Sequence, residues 1–299
     1  MFDELGLPSS TSSWYYGSAI FTDPGSNGTQ INNNTIYRIG STAINFYGLN
    51  TIVEYNRIDS VNLTKDDGAA IYTDGENNDF VTAASQGSII RYNIISNSIG
   101  NIDGLDISYK LAHGIYLDEH ASQIEIYHNT VFNCTTGGIY SHYHGYDTIS
   151  YNVSYNNGYQ ILLNDWINQY EGSTNRLIGN TMISLSSDQV CMERENYTLP
   201  VTYDVQDSNY VYSPVADAFS LAWGGIPRTF SEWQTSTGLD ANSTLIPTTV
   251  SASDVVLFYN ATMDNVAQDL TGYTWQDLDG ASVTSLTLGA FESKVLIRQ

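Results

Sequence analysis

The sequence predicts an all-β chain: a right-handed parallel β-helix of about seven coils, followed by a small antiparallel β-sandwich. Three observations predict it. First, an aliphatic residue is followed three positions later by Asn, and two after that usually by another aliphatic. The copies are Ile31/Asn34/Ile36, Val53/Asn56/Ile58, Ile90/Asn93/Ile95, Ile126/Asn129/Val131, Ile149/Asn152 and Leu177/Asn180/Met182. Second, a small residue, Ile and then usually an aromatic recur between those copies, as SAIFTD, TAINFY, AAIYTDG, HGIYLDEH and GGIYSHYH, centred on Ile20, Ile44, Ile71, Ile115 and Ile139. Degenerate copies follow at Ile161 and Val190. Third, the two series lengthen in the same places: the Asn steps are 22, 37, 36, 23 and 28, and the Ile steps 24, 27, 44, 24, 22 and 29. Two interleaved motifs at a shared interval define a solenoid.

Each element follows from these patterns. The segments alternate apolar and polar residues, are rich in Ile, Val, Tyr and Thr, and are divided by Gly and Asn, so they read as short strands. An Asn at one corner of every coil can satisfy the bend backbone and its rung neighbours at once, which is a structural role. Residues 1–195 are therefore assigned to the β-helix. Residues 196–248 hold most of the prolines and the run FSLAWGGIPRTFSEWQTSTGLDANS, expected to be irregular packing or a short helix against the last coils. Residues 249–299 contain short alternating segments joined by Gly and Asp turns, the pattern of a small β-sandwich, with a hairpin at Gly280.

Composition narrows the function classes. The chain has 299 residues, 41% hydrophobic, and carries 10 basic against 32 acidic residues for a net charge of −22. A polyanion of this kind argues against nucleic acid and anionic membranes as partners. No apolar run is long enough to span a bilayer. The first residues lack a basic and an apolar segment, so a signal peptide is expected to lie upstream or to have been removed. Low lysine and abundant Tyr, Ser, Thr and Asn point to an extracellular or cell-surface protein. Eight Asn-x-Ser/Thr sequons begin at Asn27, Asn33, Asn62, Asn133, Asn152, Asn196, Asn242 and Asn260. Cys134 and Cys191 fall in different motifs, which argues against a bridge between them. Little chain precedes the first coil, so end-to-end self-association through that coil is an open expectation.

Candidate chemistry comes from the second motif. With the Ile pointing inward, the next residue and the third point outward. The third-position column reads Asp23, Tyr47, Asp74, Asp118, His142, Asn164 and Glu193, beside a line of rings that includes Tyr72, Tyr116 and Tyr140. Asp74 and Asp118 are 44 residues apart but only one Asn copy separates them, so they are expected on adjacent rungs. The excess chain falls into loops near 75–88 and 96–113, where walls of a cleft would lie. Two such carboxylates can divide into a general acid and a nucleophile or base. Asp74, Asp118 and His142 are thus the candidate catalytic residues. Tyr72, Tyr116, Tyr140, Glu119, His120, His144 and His113 are candidates for binding a sugar through ring stacking and hydroxyl contacts. No cofactor is required by this chemistry. Asp74, Asp118 and His142, with Asp66 and Asp67 nearby, could alternatively gather a metal, calcium being the ion oxygen ligands suit.

The segments DDGAAIYTDG (66–75), HGIYLDEHAS (113–122), GGIYSHYHG (137–145), FSEWQTSTGLDANS (230–243), VLFYNAT (256–262) and LGAFESKVLI (288–297) resemble those of bacterial right-handed parallel β-helix carbohydrate-active proteins. The resemblance implies a polysaccharide or glycan partner and a glycoside hydrolase with Asp74 and Asp118 as its acids and His142 beside them. Other such proteins are polysaccharide lyases, which use a Lys, Arg or His base and often calcium; here Lys110 and Arg91 are the nearby Lys or Arg. A non-catalytic glycan-binding or filament-forming surface protein is the alternative from another class.

Overall fold

The computed structural model describes residues 17–75, 84–104, 106–143, 145–164, 175–195, 204–215, 221–223 and 226–299. Its chain winds into a parallel β-helix with three sheets. The first runs Ile20–Phe21, Ile44–Asn45, Gly68–Thr73, Ala112–Leu117, Gly137–His142, Tyr159–Asn164, Val190–Glu195 and Leu221–Trp223 in parallel order, then turns back through Ile226–Arg228. The second holds seven parallel strands from Gln30–Asn32 to Val205–Asp207, and the third eight from Thr35–Tyr37 to Thr244–Leu245. The parallel ladders therefore continue beyond residue 195, and the first sheet has eight parallel rungs where the motifs count about seven.

Between the second and third sheets the chain turns through two residues. The first adopts a left-handed backbone, at Asn33, Tyr55, Tyr92, His128, Tyr151, Gly179 and Ser208; the second is the repeated Asn. Each Asn side chain spans coils. Asn93 Oδ1 accepts from the backbone N–H of Asn56 at 3.0 Å and from its Nδ2 at 2.9 Å, while Asn93 Nδ2 donates to Val53 O and to Asn129 Oδ1, both at 2.9 Å. Buried backbone groups at a bend need such partners, so the ladder is what lets the turn be buried. The ladder has a seventh member, Asn209, which accepts from the Asn180 amide at 2.8 Å. It escaped the motif because Gln206 stands where the other copies have an aliphatic residue.

Ile44, Ile71, Ile115, Ile139 and Ile161 stack inside the solenoid, all at 0% exposure, with Val53, Ile90 and Ile126 facing them from the second sheet. The C-terminal end of this core is closed by the helix Phe230–Thr237, whose Phe230 and Trp233 join the core cluster. Thr229 caps it, accepting from the Glu232 amide while the Glu232 carboxylate accepts from the Thr229 amide. The last segment forms a four-stranded antiparallel sheet (Val255–Tyr259, Ser293–Arg298, Trp275–Gln276, Ser282–Val283) and a two-stranded one (Val266–Ala267, Thr287–Leu288). Gly280, at φ 84°, makes the hairpin turn between Trp275–Gln276 and Ser282–Val283. This sandwich packs on the third sheet, where Val255, Val295 and Ile297 cluster with Ile183, Tyr212 and Ile246.

Cys134 and Cys191 are both buried free thiols. Of the sequon asparagines, Asn62, Asn152 and Asn260 are buried at 3% exposure or less, so the folded chain offers no access to them. Asn27, Asn33, Asn133 and Asn242 are exposed, and Asn196 lies outside the described residues. No described helix is long and apolar enough to cross a membrane.

Candidate functional site

The middle of the first sheet breaks the strict alternation of faces. Ala70 and Ile71, neighbours in sequence, both enter the core, whereas Ala69 and Tyr72 both belong to a separate outer cluster. The next two strands repeat this, since a side chain at Gly114 would meet Val131 and Cys134 of the core, and one at Gly138 would meet Ser154 and Asn157. A small residue before each Ile is thus required for two successive positions to face inward. The consequence lies outside. Residues 69, 113 and 137 share the outer face with Tyr72, Tyr116 and Tyr140, where a period-two pattern would turn His113 inward.

The tyrosines form a packed floor. Tyr116 stacks on Tyr140 at 4.8 Å between centroids, Tyr72 meets Tyr116 edge-on at 5.2 Å, and Leu162 continues the row. They are 8%, 4% and 7% exposed for Tyr72, Tyr116 and Tyr140, so their faces are spent on one another. Burial foremost, then nearby carboxylates, pushes all three phenols far above the ordinary tyrosine range, which keeps them as O–H donors. His113 is fully buried beside this floor, 4.6 Å from the Tyr140 ring, and its Nδ1 accepts from the Gly137 N–H. Burial lowers it to about 3, so it is a neutral packing residue and does not line the cavity.

Above the floor lies a cavity of about 640 Å³, within the size range of small-ligand pockets. The register puts Thr73 opposite Leu117, so Asp74 and Asp118 follow on neighbouring rungs, and the Asp118 N–H donates to Thr73 O at 2.8 Å. Tyr47 Oη donates to Asp74 Oδ2 at 2.7 Å. Tyr72 Oη donates to Asp118 Oδ2 at 2.8 Å and lies 3.4 Å from Asp74 Oδ2. His142 Nδ1 is 2.7 Å from Asp118 Oδ1, which also accepts from the Glu119 N–H at 2.9 Å. Burial pushes the Asp118 carboxyl up, but the bonds from His142, Glu119 and Tyr72 outweigh it and hold it below the ordinary carboxylate range. Asp118 is an ionised carboxylate with three donors aimed at it. Rings of Tyr143, at 3.9 Å, and Tyr140, at 5.5 Å, fix the His142 imidazole.

Other candidates take different places. Glu119 is exposed on the cavity wall, and His120 sits in the adjoining turn, 5.9 Å from Tyr143, outside the lining. His144 and residues 76–83 of one expected wall loop lie outside the described residues. The other loop supplies Tyr109, Lys110 and Leu111 to the wall. Arg91 points elsewhere, bonded to Glu54 and Tyr127 on the second sheet. No three or more His, Cys, Asp or Glu side chains converge as a metal site among the described residues.

Two acids stand out more in the structure than in the sequence columns. Glu195, rather than Glu193, continues the column, because the register pairs Ile161 with Met192 and Asn164 with Glu195. Its carboxylate accepts from Asn164 Nδ2 at 2.6 Å and lines the cavity. The Met192 alignment is hidden in the sequence because it puts Arg194 at an inward position. Asp67 lines the opposite end of the cavity, just before the Gly68–Thr73 strand. Its side chain is solvent-exposed, although much protein lies around it. Burial, then the charges of Asp118 and Asp66, raise it to about 6. Compared with known proteins, the chain matches no family model and no curated sequence.

Proposed function

We propose that the cavity hydrolyses a glycosidic bond of a glycan outside the cell, with Asp118 as the ionised carboxylate that serves the anomeric carbon. The observation that carries this is the set of three donors, His142, Tyr72 and the Glu119 amide, held on one carboxylate at the end of an aromatic floor. An anion so stabilised remains charged in a partly dry site, as an attacking carboxylate or a base for water must. Asp74 belongs to the same anionic centre through the shared Tyr72 hydroxyl.

The walls also favour a kind of sugar. Among the described residues, Asp67, Asp74, Asp118, Glu119 and Glu195 line the cavity against a single Lys or Arg, Lys110. Uronic acid or sulfated chains would be repelled there, so neutral glycans are the preferred substrates. The same balance works against a lyase, whose chemistry needs the uronate carboxylate neutralised. Release of reducing sugar from neutral glycans tests the proposal. Asp118→Asn is expected to lower turnover about 10³-fold with folding unchanged. Near-normal activity in that variant would remove the assignment. Release only of unsaturated, near-ultraviolet-absorbing products would replace hydrolysis by elimination.

A further inference from the structure

Asp74 and Asp118 sit on the same side of the cavity. The 2.8 and 3.4 Å contacts to one phenol oxygen cap the separation of their nearest oxygens at about 6 Å, with Tyr72 between them. Such a separation leaves no room for the water of an inverting pair, which needs about 6.5–9.5 Å between its carboxyl groups. A leaving group on the flank away from Asp74 needs an acid on that flank. The residue that meets this requirement is Asp67. It precedes the Gly68–Thr73 strand, while Asp118 follows the neighbouring Ala112–Leu117 strand, and the tyrosine floor lies between these opposite strand ends.

Asp67 also differs from the other acids in its bonding. Asp66 accepts twice from the Leu111 N–H, Glu195 accepts from Asn164, and Asp118 has its three donors. Among the described residues, nothing donates to the Asp67 carboxyl. The charged groups facing it are Asp118, Asp66 and Glu119, which favour its protonated form, and His142, which opposes it. Lys110 also lines the cavity and acts on Asp66.

We propose that Asp67 is the general acid of this site, giving its carboxyl proton to the departing glycosidic oxygen. The inference rests on the glycosidase reading. As the bond from the anomeric carbon to that oxygen breaks, its electron pair stays on the oxygen and takes the Asp67 proton. Asp118 supplies the electron pair that the anomeric carbon loses, from its own oxygen or from a water it deprotonates. Asp67 is left as a carboxylate. On the covalent route it takes its proton from the water that releases the sugar. On the direct route the proton that Asp118 took from water passes to solvent while Asp67 takes one up. Asp74, which accepts from Tyr47 and lies 3.4 Å from the Tyr72 oxygen, then transfers no proton to the leaving group.

The test uses leaving groups that differ in their need for a proton. Asp67→Asn keeps a residue that tolerates the left-handed backbone at φ 52°. This variant is expected to lose about 10²–10⁴-fold on alkyl glycosides yet stay within about tenfold of the unaltered protein on 2,4-dinitrophenyl glycosides. Asp118→Asn should lose both. The proposal is overturned if Asp67→Asn loses neither activity or loses both equally, or if Asp74→Asn alone shows the selective pattern. If the unaltered protein cleaves the dinitrophenyl glycosides, the glycosidase reading stands whatever Asp67→Asn does. If it cleaves no glycoside of either kind, both readings fall together.

Discussion

At the scale of single residues, the same side-chain types carry opposite roles according to what surrounds them. His142 and His113 lie on adjacent strands, yet one bonds a charged carboxylate at the cavity and the other is sealed beside the tyrosine floor. His113 therefore makes acid stability a measurable property. Its folded-state value of about 3 lies below the ordinary 6.5, so between those values the unfolded chain binds the extra proton. Stability is expected to fall as pH drops from about 6.5 towards 3, by at most roughly 5 kcal/mol from this group. Denaturant midpoints measured from pH 7 to pH 4 check it: His113→Phe should flatten the slope, and an unchanged slope would move the acid sensitivity elsewhere. Sequence could place Asp74, Asp118 and His142 in one column, because the inward Ile fixes the faces downstream of it. It could not separate His113 from that group, because the slip of faces at Gly114 depends on packing against Val131 and Cys134.

At the scale of elements, the ladders determine register, and register determines the site. The Asn column was legible because an aliphatic residue stands three positions before each of its first six members. A second buried column was not, since it mixes residue types. Ile124 N–H donates to Asp147 Oδ1 at 2.9 Å, the Asp147 N–H to Asn175 Oδ1 at 3.1 Å, and the Asn175 N–H to Asp204 Oδ1 at 2.9 Å. Asp147 is 1% exposed, and its burial raises the carboxyl well above 3.8. The folded chain thus holds a proton there that the unfolded chain releases. Its contribution is complete below pH 3.8 and is lost as pH rises through the folded value. Asn supplies the same acceptor without a charge to bury. Asp147→Asn is therefore expected to stabilise the protein at pH 7 by about 1–2 kcal/mol and to remove the decline at higher pH. Thermal melts at pH 4 and pH 7 measure both effects; a less stable variant at pH 7 would mean that the ionised carboxylate is itself required.

At the scale of the whole molecule, a solenoid is held by neighbour contacts alone, so its ends decide where it opens. The C-terminal end is closed by a polar network together with an apolar plug. Trp233 is fully buried and donates from Nε1 to Asp240 Oδ2 at 2.8 Å, and Asp240 Oδ1 accepts from Asn209, the last rung of the Asn ladder, at 3.0 Å. Arg194, fully buried, pairs with Asp204, the last acid of the second column, and lies 5.8 Å from the Trp233 ring. One side chain of the closing helix thus joins the core, reaches the Asn ladder through Asp240 and lies beside the buried ion pair. Glu195, on the Val190–Glu195 strand that pairs with the last parallel rung of the first sheet, is also at the far end of the cavity. Removing the plug should therefore loosen the solenoid from this end and reach the site through that strand. Trp233→Ala is expected to cost about 3–5 kcal/mol, the usual penalty for emptying a buried aromatic position. Amide exchange should then accelerate first in Val205–Asp207 and Tyr210–Tyr212, next in Val190–Glu195, and least in Gln30–Asn32. Uniform acceleration along all coils would show that the β-helix opens as one cooperative body instead of unwinding from its capped end.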